Sequence, residues 1–279
     1  MFKRITIIGL GLIGGSLGMV IKEKHLAGKI TGVSRRRSTI VRALSLKAVD
    51  KVTLDMKRSV KDADLVIVAA PVLKIIDIAK VISKELKKGA IVTDAGSTKA
   101  DIVKEVEKIL PKTVKFVGSH PLAGSEKSGI AFADKDLFKG AYCVLTKSNK
   151  TDSKAISKLK KFWTGLGMKV DIMSPDKHDK ILSRLSHLPH ASGTALCNAC
   201  GKNDLYLSAG GFRDTTRIAS GNPELWLDIF LTNRKNVARD IKNLKKELSK
   251  IEAALNKNNK TELLRLLRKA KIIRDSISL

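Results

Sequence analysis

The chain has 279 residues, 43% hydrophobic and 29% charged, which is ample for a packed core in one large domain or two ordinary ones. Its 54 Lys and Arg against 27 Asp and Glu leave a net charge of +27, but the cations are spread along the chain, without a basic tail and with only 4% aromatics. That pattern reads as a solvated, lysine-rich surface that draws small anions to clefts, and it argues against a nucleic-acid or membrane platform; three cysteines exclude a disulfide framework and point to a reducing cytoplasm.

The N-terminal MFKRITIIGLGLIGGSLGMVI imitates a secretory signal, yet its glycines are regularly placed and no small-residue cleavage site precedes Lys22. No later apolar run approaches the ~20 residues of a membrane span, so a soluble cytoplasmic protein is expected. Short apolar runs at residues 5–8, 65–68, 90–93, 114–117, 142–145 and 169–173 have the texture of strands buried on both faces. Helical stretches at 72–86 and 99–110 alternate with them, which predicts an α/β domain with a doubly wound parallel sheet. After Ser174-Pro175 the strand signals stop and the rest reads as helix. Asn222-Pro223-Glu224 is a helix start. Val237, Ile241, Leu244, Leu248, Ile251 and Leu255 form a heptad seam, which needs a partner within the chain or from a second copy. The expected division is 1–173 for the α/β domain and 174–279 for an all-α domain that pairs as a homodimer.

Directly after the first strand stands Gly9-Leu10-Gly11-Leu12-Ile13-Gly14, a GxGxxG that opens a helix, as in a Rossmann dinucleotide site. Gly9 allows the tight turn, Gly11 lets the backbone approach a diphosphate, and Gly14 lets helix and strand pack closely. The helix start at Leu12 and Ile13 offers N–H groups to the anion. Ala70 and Pro71, after the strand at 65–68, complete the expected cofactor contacts. About 20 residues past the glycines, where NAD binders place a carboxylate, the chain reads Val33-Ser34-Arg35-Arg36-Arg37-Ser38. A hydroxyl followed by guanidinium groups suits the 2′-phosphate of NADP, with Arg35 leading, Ser34 and Arg36 assisting and Arg37 facing solvent. Reacting groups belong beyond the strand ends, which selects the segments DAGSTK (94–99) and GSHPLAGSE (118–126). His120, at a strand end beside Pro121, is placed for general base work.

GLGLIGGSL, DAGSTK, GSHPLAGSE, SHLPH and GGFRDTTRIASGNPELW occur in the order found in prephenate and arogenate dehydrogenases, and the chain resembles that family over essentially its whole length. The resemblance implies a nucleotide domain joined to a helical dimerisation domain, and an oxidative decarboxylation that makes a cyclohexadienol ring aromatic. It assigns His120 as the proton acceptor, Ser97 as its hydrogen-bonding companion and Arg217 as the arginine that binds a substrate carboxylate. Arg213, one turn earlier, is a further substrate candidate or a structural residue, and Ser119 joins the substrate set. His190 matches a second histidine of prephenate-preferring members, and His187 is a substrate neighbour or a core residue. His25 and His178 are expected at the surface. Cys197 and Cys200 with His187 and His190 mimic a zinc site, but one straight helix cannot wrap four ligands around an ion, so no metal is expected and both thiols should be buried. The implied reaction is conversion of prephenate to 4-hydroxyphenylpyruvate with NADP. Arogenate is the alternative substrate, and VSRRRS also resembles NADP-using arogenate members. A basic, NADP-sensing nucleic-acid binder is the rival from another class.

Overall fold

Eight strands form one sheet in the order β3-β2-β1-β4-β5-β6-β7-β8 in the computed structural model, which describes residues 1–277. They are β1 (Phe2–Ile8), β2 (Ala27–Val33), β3 (Lys51–Thr53), β4 (Leu65–Val68), β5 (Ile91–Asp94), β6 (Lys115–Pro121), β7 (Tyr142–Thr146) and β8 (Lys169–Met173). Neighbouring pairs are parallel except β6 with β7, where His120 lies opposite Val144. The sheet is therefore mostly rather than wholly parallel. Between β6 and β7 the chain carries only the short turn Ile130–Phe132, and an antiparallel neighbour needs no helical crossover.

Helices cover both faces because the strands are apolar on both. On one face Leu17, Val20 and Ile21 of α1 (Leu12–Glu23), Ala43 of α2 (Arg37–Ser45) and Leu159, Phe162 and Trp163 of α6 (Ser153–Gly165) join one apolar cluster with the strand residues Ile5, Ile7, Ile67 and Leu145. The other face, with Ile8, Val66 and Val68, meets Val60 of α3 (Met56–Val60), Val72 and Ile75 of α4 (Val72–Ile82) and Ile102 and Val106 of α5 (Ala100–Ile109). Strand order reverses between β1 and β4, and the crevice at the carboxyl ends of such strands is where this architecture binds ligands.

Past β8 every element is helical. Ser174 caps α7 (Pro175–Leu182), its hydroxyl accepting from the Lys177 N–H at 3.2 Å. The chain then widens into a π turn, Ser183–His187, before α8 (Leu188–Cys200). Pro189 cannot donate to the Leu185 carbonyl, and the widened turn lies immediately before it. α9 (Gly210–Thr216) leads through a tight turn, Arg217–Ser220, to α10 (Pro223–Thr232). As expected at this start, the Asn222 side chain accepts from the Leu225 N–H at 2.8 Å. Ile229 of α10 joins the cluster under α4, so this helix packs on the α/β part.

Residues Met1–Asn233 form one compact unit and Arg234–Leu279 another. The second unit holds α11 (Arg234–Asn256) and α12 (Lys260–Asp275), joined by a turn with Asn258 at φ 47°. On the predicted seam Ile241, Leu248, Ile251 and Leu255 are exposed, as are Leu264 and Leu267 of α12. Among the described residues no helix is long and apolar enough to cross a membrane.

Candidate active site

The glycine loop meets the demands of its three positions. Gly9 has φ 97°, and a Cβ there would lie 2.2 Å from the Ala69 carbonyl oxygen. A Cβ on Gly14 would lie 1.9 Å from the Gly9 carbonyl oxygen. Gly11, by contrast, borders open space, with no heavy atom within 4 Å of where its Cβ would stand. It begins α1 without a side-chain cap, so the N–H groups near Leu12 and Ile13 face outward at a helix start bare of acidic residues. The residues thus fit a dinucleotide diphosphate: close packing surrounds the glycines on either side, and the middle one leaves a cradle that a methyl group would fill. Ala70 and exposed Pro71 lie beside this loop, since the Ala69 N–H donates to the Ile8 carbonyl at 2.8 Å.

Ser34 follows β2 directly, and its Oγ accepts from the Arg36 N–H at 3.3 Å. Arg35, Arg36 and Arg37 are exposed, and their guanidinium groups make no hydrogen bond or ion pair among the described residues. No carboxylate stands between Val33 and α2.

At the tips of β5 and β6 a buried polar cluster replaces the apolar core. Asp94 and Lys99 form a fully buried ion pair. Asp94 also accepts from the Gly96 N–H at 2.9 Å and the Ser119 N–H at 3.2 Å, tying the β5 turn to β6. Half-buried Ser97 sits in that turn, and the neighbouring Thr98 hydroxyl meets the Thr232 hydroxyl of α10 at 2.9 Å.

His120 presents its ring beyond this tip. Its Nδ1 lies 2.8 Å from Nε2 of His178, whose Nδ1 lies 2.8 Å from Oδ1 of Asp179. Both His178 and Asp179 are buried, so the surface position expected for His178 is corrected. Its isolation in a polar stretch of sequence hid the partners that pull it inward. Burial pushes the His120 imidazole well below the usual histidine range, and a charge on neighbouring His178, on Lys99 or on His187 adds to the effect, Lys99 being the one that carries its charge at neutral pH. His178 is lowered too, chiefly by burial and against the pull of Asp179.

Ser119 turns away from the cleft, because adjacent residues of a strand point to opposite faces. Its hydroxyl lies 2.6 Å from that of Thr93 and accepts from the Trp163 indole N–H at 3.2 Å, and it is fully buried. The structure thus engages within the domain interior a hydroxyl that was expected among the substrate contacts.

The helical segment supplies a second set of groups. His187 and His190 share one face, as their spacing predicts, and both meet Trp226: His190 stacks on the indole at 3.6 Å, while His187 meets it edge-on at 6.2 Å. His187 is buried, its Nδ1 accepting from the Asn233 amide at 3.1 Å, and burial lowers it to about 4. Burial lowers His190, with the Ile218 backbone opposing that shift, and its buried Nδ1 has no hydrogen-bond partner among the described residues. Arg217 is exposed and donates to Glu126 at 3.1 Å, which brings the loop after β6 to the turn after α9. Glu126, inside a motif but given no role from sequence, is thus part of the arrangement. Arg213 and Arg217 line a cleft of about 460 Å³ together with Thr194, Asn198, Ser208 and Cys197. Cys197 is half-buried and Cys200 exposed, contrary to the expectation of two buried thiols, because the last turn of α8 faces this cleft and solvent. His25 is exposed at φ 50°.

Known proteins resemble this chain in sequence and in fold. The family model described as prephenate dehydrogenase, nucleotide-binding domain, matches residues 17–172, and that described as prephenate dehydrogenase, dimerization domain, matches 174–269. Prephenate dehydrogenase of Bacillus subtilis is 36% identical over 99% of this chain and 76% of its own length. Cyclohexadienyl dehydrogenase of Zymomonas mobilis is 33% identical over 91% of this chain and 89% of its own. Prephenate dehydrogenase from A. aeolicus, solved with hydroxyphenyl propionate and NAD+, superposes with a TM-score of 0.93 at 35% identity, covering 100% of this chain and 99% of that one. Synechocystis arogenate dehydrogenase superposes at 0.84 and 30% identity, covering 98% and 99%. With the glycine loop, the histidine at the tip of β6 and the arginine after α9 in place, the chain belongs to the prephenate dehydrogenase family.

Proposed function

We propose that this oxidoreductase converts prephenate to 4-hydroxyphenylpyruvate with NADP, as a cytoplasmic homodimer in which residues 1–173 hold the cofactor and 174–279 hold the substrate and the partner subunit. The observation that carries the chemistry is His120, desolvated and hydrogen-bonded through Nδ1 at the carboxyl edge of the sheet, on the same side as the open glycine loop. A lowered histidine is neutral at pH 7 and so is ready to accept a proton. Bound NADP supplies the hydride acceptor. His120 takes the proton of the ring hydroxyl as the carbon bearing it is oxidised. Loss of the ring carboxylate as CO2 then returns an electron pair that makes the ring a phenolate, which recovers the proton. Ser97 lies in the neighbouring turn to hydrogen bond the same oxygen. Arg217, with Arg213 behind it, supplies the guanidinium for a carboxylate of the dianion, and the unpartnered Nδ1 of His190 supports recognition of the substrate side chain. His187 supports that face from the core.

Exposed guanidinium groups and a serine hydroxyl after β2, where no carboxylate stands, support NADP over NAD. The exposed seam of α11 supports pairing through the C-terminal helices. The test is steady-state NADPH formation with prephenate and with arogenate, each with NADP and NAD. Prephenate with NADP is expected to give the highest kcat/KM, and His120→Asn to lower kcat by about 10² or more. No turnover with either acid overturns the proposal, and near-normal turnover in the variant removes His120 from its role.

A further inference from the structure

The carboxylate of Asp179 joins two parts of the site that are far apart in sequence. Its Oδ1 accepts the Lys99 N–H at 2.8 Å and its Oδ2 the Ala100 N–H at 2.9 Å, so it caps the start of α5. These are the free N–H groups of a helix N-terminus, where a negative charge is favoured. The turn bearing Ser97 is thereby fixed to α7. The same Oδ1 faces Nδ1 of His178. Since both oxygens already accept backbone N–H groups, His178 must be the donor in that contact. A neutral imidazole with its proton on Nδ1 has only a lone pair on Nε2. The His120 Nδ1 at 2.8 Å from that atom is then the donor in turn, which leaves the His120 Nε2 as a lone pair.

We propose that Asp179, acting through His178, is the positioning residue that keeps the proton of His120 on Nδ1 and its Nε2 ready to accept. The proposal rests on the reading of His120 as the base. When His120 takes a proton, its Nδ1–H already points at an acceptor, and the new charge is shared along a chain that ends on a carboxylate. The other charged and titratable groups around the pair do not offer this. Asp94 is committed to Lys99, Lys99 is itself a cation, and the His187 Nδ1 is engaged by Asn233. The Asp179 backbone carbonyl also accepts from Asn233 at 2.8 Å, so the residue is held at both ends.

The experiment compares Asp179→Asn with wild type by 15N spectra of the histidine rings, by the pH profile of kcat/KM, and by Tm. Wild type is expected to show His120 as the Nδ1–H form. In Asp179→Asn that form should give way to a mixture, and kcat should fall by about 10² with KM within about threefold, the pattern of an interaction made in the transition state. The acid limb of the profile should move to lower pH, because the carboxylate that favours the protonated pair is gone. Should Asp179→Asn fold poorly, His178→Gln and His178→Leu decide the matter. The Gln carbonyl can still accept from His120 Nδ1–H, so this variant should retain at least about tenfold more kcat than the Leu variant. A lowered Tm with unchanged ring spectra and an unmoved acid limb overturns the proposal, as do equal activities of the two His178 variants. Altered ring spectra with full turnover would instead refute His120 as the base while leaving its orientation by Asp179 established.

Discussion

Gly11→Ala and Gly14→Ala separate binding from folding within a single loop. At Gly14 a methyl carbon would sit 1.9 Å from the Gly9 carbonyl oxygen, whereas a relaxed C···O contact is about 3.3 Å. Helix α1 and the loop must therefore part by about 1.4 Å, and overpacking of that size costs about 3 kcal/mol. At Gly11 the methyl meets nothing within 4 Å, and φ −83° suits any L-residue. Alanine is a poorer helix N-cap than glycine by about 0.5 to 1 kcal/mol, while the stiffer unfolded chain returns about 0.4 to 1 kcal/mol. The net change in stability is near zero, and Tm should stay within about 4 °C. Dinucleotide binding behaves differently, because the methyl occupies the place where a diphosphate meets the N–H groups of α1. Losing a single hydrogen bond to a charged group costs about 2 kcal/mol, or about thirtyfold in Kd. Isothermal titration with NADP and thermal unfolding should then show Gly11→Ala folded but weakly binding, and Gly14→Ala destabilised. Binding of Gly11→Ala within threefold of wild type, or a loss of stability matching that of Gly14→Ala, would refute the assignment of the cradle.

Two further outcomes are expected. Ser34→Asp with Arg35→Ala should lower kcat/KM for NADP by at least about 10², the worth of one or two charge-assisted hydrogen bonds, and change that for NAD by less than about fivefold; equal losses with both cofactors would return the arginines to the solvated surface. His187, lowered to about 4 in the folded chain against about 6.5 unfolded, adds nothing to pH dependence above 6.5. As pH falls from 6.5 toward 4 the unfolded chain binds a proton that the folded one refuses, so stability drops, by about 3 kcal/mol over the full window. Urea unfolding at pH 7 and pH 4.5 should show a smaller loss in His187→Gln than in wild type, and an unchanged difference would remove His187 as a source of the acid sensitivity.

The features read correctly from sequence are those set by local rules. Runs such as Leu65–Val68, apolar at every position, suit a strand covered on both faces, and Asn222 before Pro223 carries its own capping chemistry. The glycine loop is legible for the same reason: its requirements lie in the backbone. What escaped notice depends on partners distant in the chain. His178 and Asp179 lie in PDKHDK, which reads as a solvated helix start, and their burial follows from α5 offering N–H groups about eighty residues away. Lys99 is fully buried because Asp94 waits beneath it, and single-sequence reasoning has no sign of a paired lysine. Ser119 is a different case, since alternation along β6 forces it opposite to His120 and could have removed it from the substrate set.

The electrostatics of the site also clarify why a chain of such high positive charge needs a buried base held in this way. His120 stands beside Lys99, in a desolvated pocket where burial first and that cation second disfavour a protonated ring. The same surroundings that keep it neutral would oppose the proton it must accept. Lys99 does not bear fully on His120 because Asp94 neutralises it at contact distance. His178 is kept from adding a second charge by burial, and Asp179 gives the shared proton a counter-charge beyond it. Under the proposed function, a dianionic substrate held at Arg217 would bring negative charge into the site, and the acceptor would gain proton affinity with substrate present and stay neutral without it. On this reading the basic surface serves attraction of the acid and its cofactor, while the buried acids, Asp94 and Asp179, allow the chemistry to proceed in a field that would otherwise resist it.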